Sequence, residues 1–182
     1  MKKALVLGTA LTMLFSVVLA GAAFADSAAV LDTKAKATLD LFRETKGASS
    51  VLEEAKGLLV FPSVKKAGFG IGGEYGEGPL IIDGESVAYY NTVAASFGFQ
   101  IGVQAKSIIL AFMTDQALEN FRNASGWEVG ADASVAVIAV GANGSLDTTV
   151  TNKPIVAFVF DQKGLMYNLT LEGAKMTKIN KK

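Results

Sequence analysis

Hydrophobic positions in residues 27–46 recur at helical spacing: Leu31, Ala35, Leu39 and Phe42 share one stripe, with Lys34, Lys36, Asp40 and Arg43 mostly off it. The spacing predicts an amphipathic helix with Gly47 at its C-terminal cap. Ser50-Val51-Leu52-Glu53 has capping-box spacing and predicts a short second helix ending near Gly57. A third helix is predicted over 115–123, with Thr114 as N-cap, Leu118 and Phe121 facing inward and Gly126 as its stop. The other apolar runs read as strands. Residues 58–61 form a short one stopped by Pro62, and 80–82 and 87–90 flank a tight turn at Asp83-Gly84. Residues 107–113 read as a strand that is apolar throughout after Ser107. Residues 129–140 are a long strand rich in Ala and Val, with a second hairpin signal after it at Asn143-Gly144. Strands at 155–160 and 165–171, joined by a turn at 161–164, close the chain. Short turns between successive strands make the neighbours antiparallel, so the pattern predicts an α+β domain rather than repeated βαβ units.

A period of two runs through the glycine-rich segment. Phe69, Ile71 and Tyr75 fall on one face, and Gly68, Gly70, Gly72, Glu74, Gly76 and Gly78 on the other. Phe97, Phe99, Ile101 and Val103 alternate in the same way with Ser96, Gly98, Gln100, Gly102 and Gln104. Ala131, Ala133, Val135 and Val137 do so with Gly130, Asp132, Ser134 and Ala136. Glycine weakens a strand, so glycine repeated on one face implies close approach by another element or sharp curvature. The expected fold is a strongly curved, barrel-like antiparallel sheet with Gly-faced strands, packed by the N-terminal helix and one or two short helices. Two occupants fit the thin face: a helix of the same chain, such as that over 27–46, or an apolar ligand.

Residues 68–73 also satisfy G-x-G-x-x-G, but that motif holds a dinucleotide only where the turn opens a helix. Here Glu74-Tyr75-Gly76-Glu77-Gly78-Pro79 follows, which cannot start a helix, and no Gly-Lys-Ser/Thr completes a phosphate loop. Nucleotide is not an expected ligand. Composition narrows the chemistry further. Among 182 residues there is no His and no Cys, and 17 Lys+Arg balance 17 Asp+Glu. Imidazole bases, thiolate nucleophiles, disulfides and His- or Cys-ligated metals are thereby excluded. No cofactor or metal is expected, zero formal charge gives no reason to expect nucleic acid, and the balance tilts toward binding rather than catalysis.

Residues 1–25 read as an address. Lys2 and Lys3 precede an uncharged run over 4–19, and Ala23-Phe24-Ala25 is a small-x-small exit before Asp26. Residues 4–25 are just long enough for an uncleaved anchor. The basic start, apolar middle and small exit together favour a secretory signal cleaved at Ala25-Asp26. The expectation is a single exported domain over 26–182, periplasmic or secreted.

At Ala55-Lys56-Gly57-Leu58-Leu59-Val60-Phe61-Pro62 and Lys66-Ala67-Gly68-Phe69-Gly70-Ile71-Gly72-Gly73 the chain resembles the start of the SYLF-domain family. Gly98-Phe99-Gln100-Ile101-Gly102-Val103-Gln104 is similar to its Gly-x-Gln-x-Gly segment. Further matches follow in the same order at Phe112-Met113-Thr114, Ala117-Leu118, Phe121, Gly130-Ala131-Asp132-Ala133-Ser134, Lys163-Gly164-Leu165-Met166-Tyr167 and Leu171-Glu172-Gly173. The resemblance spans roughly 38–179. It implies a non-enzymatic lipid-binding module: eukaryotic members bind phosphoinositides and occur in actin-organising proteins beside Src-homology-3 domains, and bacterial members look like exported stand-alone domains. An exported bacterial protein would meet neither actin nor phosphoinositides, and Tyr89-Tyr90-Asn91 lacks the Pro-Ser dipeptide of many eukaryotic members.

The expected function is therefore binding of membrane lipid or phospholipid in the bacterial cell envelope. The alternative is a structural or stress-related envelope protein that binds another protein through a strand edge or the Tyr89-Tyr90 region. Candidate lipid contacts are Lys65, Lys66, Phe69, Gly70, Gly72, Phe97, Phe99 and Lys106. Two adjacent lysines add only about 1 kcal/mol each toward anionic lipid, so apolar burial must dominate. Glu74, Gln100 and Asp132, on the small-residue faces, read either as a polar anchor for a head group or as internal salt-bridge partners of Lys65, Lys66 or Lys106. A hydrolase using Asp132 and Glu74 would need both carboxyls in one cleft. Trp127 is placed at a strand start, either capping the core or at a membrane interface.

Overall fold

The computed structural model describes residues 26–98, 104–139, 153–160, 171 and 173–182. Helix α1 (Ala28–Arg43) follows the apolar stripe, burying Leu31, Ala35, Thr38, Leu39 and Phe42. Ser27 caps it, its hydroxyl accepting the Val30 N–H at 3.4 Å. The helix closes on Glu44, whose N–H reaches the Leu41 and Phe42 carbonyls, so Gly47 is not its cap. Gly47 instead takes φ 92° and opens helix α2 (Ala48–Glu54). That left-handed turn sets the helix direction before Ser50, so the predicted capping box does not start it. Helix α3 (Asp115–Asn123) has the predicted bounds, with the Thr114 hydroxyl accepting the Ala117 N–H at 3.2 Å. It ends on Ala124 rather than at Gly126.

Seven strands among the described residues form one bent sheet: β1 (Gly57–Ile82), β2 (Glu85–Gly98), β3 (Gln104–Phe112), β4 (Trp127–Glu128), β5 (Ala136–Ala139), β6 (Ile155–Phe160) and β7 (Lys175–Ile179). Their order is β4-β7-β2-β1-β3-β6-β5, a half-barrel that is antiparallel except where β5 runs parallel to β6. Asp83 (φ 52°) and Gly84 (φ 83°) make the predicted two-residue hairpin between β1 and β2.

Two expected strands come out differently, and one strand was not expected. Pro62 does not stop the first one: the ladder to β3 shifts register between Phe61 and Val64, and Pro62, with no N–H to donate, sits in that irregularity while the strand continues. The long 129–140 strand is broken. Gly130 (φ 92°) opens a turn, closed by the Asp132 N–H donating to the Glu128 carbonyl at 2.9 Å, and pairing resumes only in β5. β7 lies where no strand was expected, because Met176 is its one fully buried residue and gives too weak an alternation. The Asn143-Gly144 turn, the turn at 161–164 and residues 165–170 lie outside the described residues.

The sheet buries both faces. Leu59, Phe61, Ile108, Leu110, Phe112, Ile155, Ala157 and Val159 point to the concave side, where α3 inserts Leu118 and Phe121. The Phe121 ring stands 4.8 Å from Tyr90, 4.9 Å from Phe112 and 5.4 Å from Trp127. The intervening residues Val60, Ile109, Ala111, Val156, Phe158 and Phe160 face the other way and are covered by Ala35, Leu39 and Phe42 of α1 and by Ala48 and Val51 of α2. This two-sided burial is why β3 and β6 read as unbroken apolar runs.

β1 is folded onto itself. Its first part pairs with β3 from Gly57 to Lys66, and its second with β2 from Gly70 to Ile82. A Cβ on Gly78 would stand 1.7 Å from the Val60 carbonyl oxygen, and one on Gly76 would stand 2.7 Å from Val64 Cγ2 and 3.1 Å from the Ser63 oxygen. At these positions the occupant of the glycine face is neither the N-terminal helix, which lies on the opposite side of the sheet, nor a ligand. It is the first half of the same strand. Gly78→Ala is expected to cost at least about 3 kcal/mol, because backbone must move. Gly73→Ala, whose Cβ meets nothing nearer than the Ala94 oxygen at 3.8 Å, is expected to be neutral or stabilising by roughly 0.5 kcal/mol. Urea unfolding of the two variants checks the contrast.

Candidate functional site

The strand registers gather most of the candidate residues at one end of the sheet. Gly70 lies opposite Gly98, Ile71 opposite Phe97 and Gly72 opposite Ser96. Lys65 lies opposite Ala105 and Lys66 opposite Gln104. Lys65, Lys66, Phe69, Gly70, Gly72, Phe97 and Lys106 thus surround the bend of β1 and the facing ends of β2 and β3. Phe99 and Gln100 lie outside the described residues. Residues 68–73 are strand within β1, and the chain continues as strand after them.

Lys106 and Glu74 meet on the concave side. Lys106 shares the face of Ile108 and Leu110, Glu74 shares that of Gly76 and Gly78, and Lys106 Nζ stands 2.6 Å from Glu74 Oε2. The side chains are 7% and 15% exposed, so each is the other's main compensation for lost water. Asp132 is not mid-strand as the alternation suggested. It is exposed in the 130–133 turn, its carboxylate accepting the Glu128 N–H at 2.6 Å. The two carboxyls considered for acid–base work therefore sit on different elements, and each is already engaged.

A second ion pair had no sequence signal, since its members lie 104 residues apart in the chain. Lys181 Nζ stands 2.6 Å from Glu77 Oε2 and donates to the Asp26 carbonyl at 3.0 Å. Beside it the Tyr75 hydroxyl donates to Glu77 Oε1 at 2.7 Å. Partial burial, and then the Glu77 carboxylate, push the Tyr75 hydroxyl from 10.0 up to about 12. The same convex face carries exposed Tyr75 directly opposite exposed Val93, which in turn lies opposite Lys175.

At the other end of β2, Asp32 of α1 accepts hydrogen bonds from Ser86 Oγ at 2.8 Å and from the Tyr89 hydroxyl at 2.9 Å. Burial, followed by the Asp32 carboxylate, raises the Tyr89 pKa. Tyr90 is buried against Phe121, whereas Tyr89 is half-buried. Trp127 is 3% exposed and caps the concave core. No helix among the described residues is long and apolar enough to cross a membrane.

Residues 93–182, from late β2 through β7, match the Ysc84 family, described as Las17-binding protein actin regulator. This is the family the sequence resembles under its SYLF name. The SH3 domain-containing YSC84-like protein 1 of Pongo abelii is 28% identical over 129 residues, covering 68% of this chain and 37% of its own length. The Rattus norvegicus protein of that name is 28% identical over 129 residues (68% and 38%), and that of Homo sapiens 27% (68% and 37%). The chain spans little more than a third of the length of the curated relatives it matches.

Two expected outcomes follow from the polar contacts of this chain. Lys106→Met leaves Glu74 uncompensated and is expected to cost about 3 kcal/mol in urea unfolding, most of it recovered in the double variant with Glu74→Leu. For Tyr75 the folded-state pKa is raised, so its contribution is complete below pH 10 and is lost as pH rises from 10 toward 12. A tyrosinate absorbance titration compared with Tyr75→Phe should assign the late step to this residue, and Glu77→Gln should move it earlier.

Proposed function

We propose that this chain is a non-catalytic lipid-binding domain of a bacterial cell envelope, active after residues 1–25 are removed as a secretory signal. The observation that carries the reading is the convergence at one end of the sheet. The Phe97 position of β2 and the lysines at 65 and 66 lie toward the same end of the sheet as an exposed row of Tyr75, Val93 and Lys175. An aromatic ring with a polar tip, a neighbouring aliphatic side chain and a cation suit the boundary between head groups and acyl chains. Glu74 and Asp132 are occupied by Lys106 and the Glu128 N–H, which supports a binding role over hydrolysis.

A second reading, an envelope protein that binds another protein, is favoured by one observation. β5 stands at the sheet edge among the described residues with Val137 36% exposed, where an extended partner segment could add a strand. The family description names the binding of a protein, Las17, in keeping with that reading.

Vesicle flotation separates the two. Protein lacking residues 1–25 is expected to float with vesicles of phosphatidylethanolamine and phosphatidylglycerol. Tyr75→Ser with Val93→Ser should weaken that binding about tenfold through lost apolar burial, with an unchanged circular-dichroism spectrum. No flotation on these or on phosphatidylcholine vesicles overturns the lipid reading. A stoichiometric protein partner captured from envelope extract without lipid supports the second.

A further inference from the structure

A groove of about 760 Å³ opens between α1, α2 and the β1–β2 hairpin, within the range of roughly 300–1,000 Å³ usual for small-molecule sites. Its lining carries charges of both signs. On α1 the residues lining it, Asp32, Lys36, Leu39 and Arg43, recur at the spacing of one helix face. The Asp32 carboxylate is engaged by the Ser86 and Tyr89 hydroxyls, Leu39 is buried, and the cations of that wall are Lys36 and Arg43, the latter also paired with Asp40. Facing them, Asp83 and Glu85 flank Gly84 in the hairpin turn. Leu52, Leu58 and Ile81 supply apolar lining between the two walls. The link from α2 to β1 adds one charge of each sign, Glu53 and Lys56.

We propose that this groove binds the head group of an amine-bearing phospholipid. The phosphate lies toward Lys36 and Arg43, the ammonium toward Asp83 and Glu85, and the glycerol end on the apolar lining. A simple anion would face the two hairpin carboxylates, and a simple cation would face Lys36 and Arg43. A zwitterion satisfies both. Carboxylates recognise an ammonium through its N–H groups, whereas a quaternary ammonium needs open aromatic faces. The one aromatic residue lining the groove, Tyr89, is tied to Asp32. Neither Tyr75 of β1 nor Val93 of β2 lines the groove, so the site does not rest on the vesicle contact proposed above.

Calorimetry with dihexanoyl phosphatidylethanolamine, kept below its micelle concentration, tests it. The expected result is saturable binding, with dihexanoyl phosphatidylcholine and free phosphoethanolamine each weaker by about tenfold or more. Lys36→Gln and Asp83→Asn should each weaken the ethanolamine lipid about tenfold. Asparagine tolerates the left-handed backbone at position 83, and thermal melts establish that both variants fold. Equal affinity for the choline lipid overturns the amine assignment. Equal affinity for phosphoethanolamine overturns the lipid as source and leaves a soluble phosphoamine. Undiminished binding by both variants, or no binding of the ethanolamine lipid by the unaltered protein, overturns the groove as the site. Vesicle flotation that persists in such a protein shows the failure to be specific to the groove.

Discussion

The approach of Gly78 to the Val60 carbonyl is the contact on which the rest of the architecture depends. Two layers of sheet ordinarily stand about 10 Å apart because side chains fill the space between them. Here a Cβ would lie 1.7 Å from the facing oxygen, so a methyl group is already too much. Removing the side chains at 76 and 78 lets one strand turn back along its own inner face. It can then pair with β3 through its first half and with β2 through its second. That bend puts the two arms of the sheet in one molecule without an intervening loop.

The consequence is an uneven division of space. Where glycine lies, the concave side closes on backbone. Where Leu59, Phe61, Leu80 and the inward residues of β3 and β6 lie, it widens enough to need α3 as a filling element. Gly57 marks the transition, since a Cβ there would touch Leu118 of α3 at 3.0 Å. On the convex side α1 and α2 cover β3 and β6 and reach the β1–β2 hairpin through Asp32, but the Tyr75–Val93 row is left uncovered. The termini of the described fold are tied together by the Ala28 N–H donating to the Lys182 carbonyl and by the bonds from Lys181 to Asp26 and Glu77.

Local signals were readable in the sequence, and long-range ones were not. The stripe of α1, the Thr114 cap of α3, the Asp83-Gly84 turn and the glycine alternation each involve residues within a few positions of one another, and each gave the right kind of element. What lay against the glycines was not legible, because Val60 and Gly78 belong to one strand and no periodicity reports a strand meeting itself. The Glu74–Lys106 ion pair was half legible: the shared face said that Glu74 needed a cation, but Lys65, Lys66 and Lys106 fitted equally until the register was known. Lys181 with Glu77 and Asp32 with Tyr89 left no trace, since exposed-looking polar residues far apart in sequence carry no pattern. Asp132 misled because Gly130 looked like one more small residue of a strand face, whereas its left-handed backbone makes a turn.

These constraints also decide where a ligand fits. The thin face left room for a helix of the same chain or for an apolar guest lying along the glycines, but at Gly76 and Gly78 the first half of β1 occupies that space down to van der Waals contact. Further along the same face Glu74 and Lys106 place a charge pair with little water, where an acyl chain would leave both without solvent or gain nothing in return. Burial of lipid inside this part of the bend would therefore oppose the packing that makes the bend. Contact from outside does not: Tyr75 and Val93 are already exposed, and covering them displaces water without breaking any internal pair. The glycines are thus better understood as what shapes the sheet than as what holds a guest, and any recognition falls to the outer surfaces that this shape leaves bare.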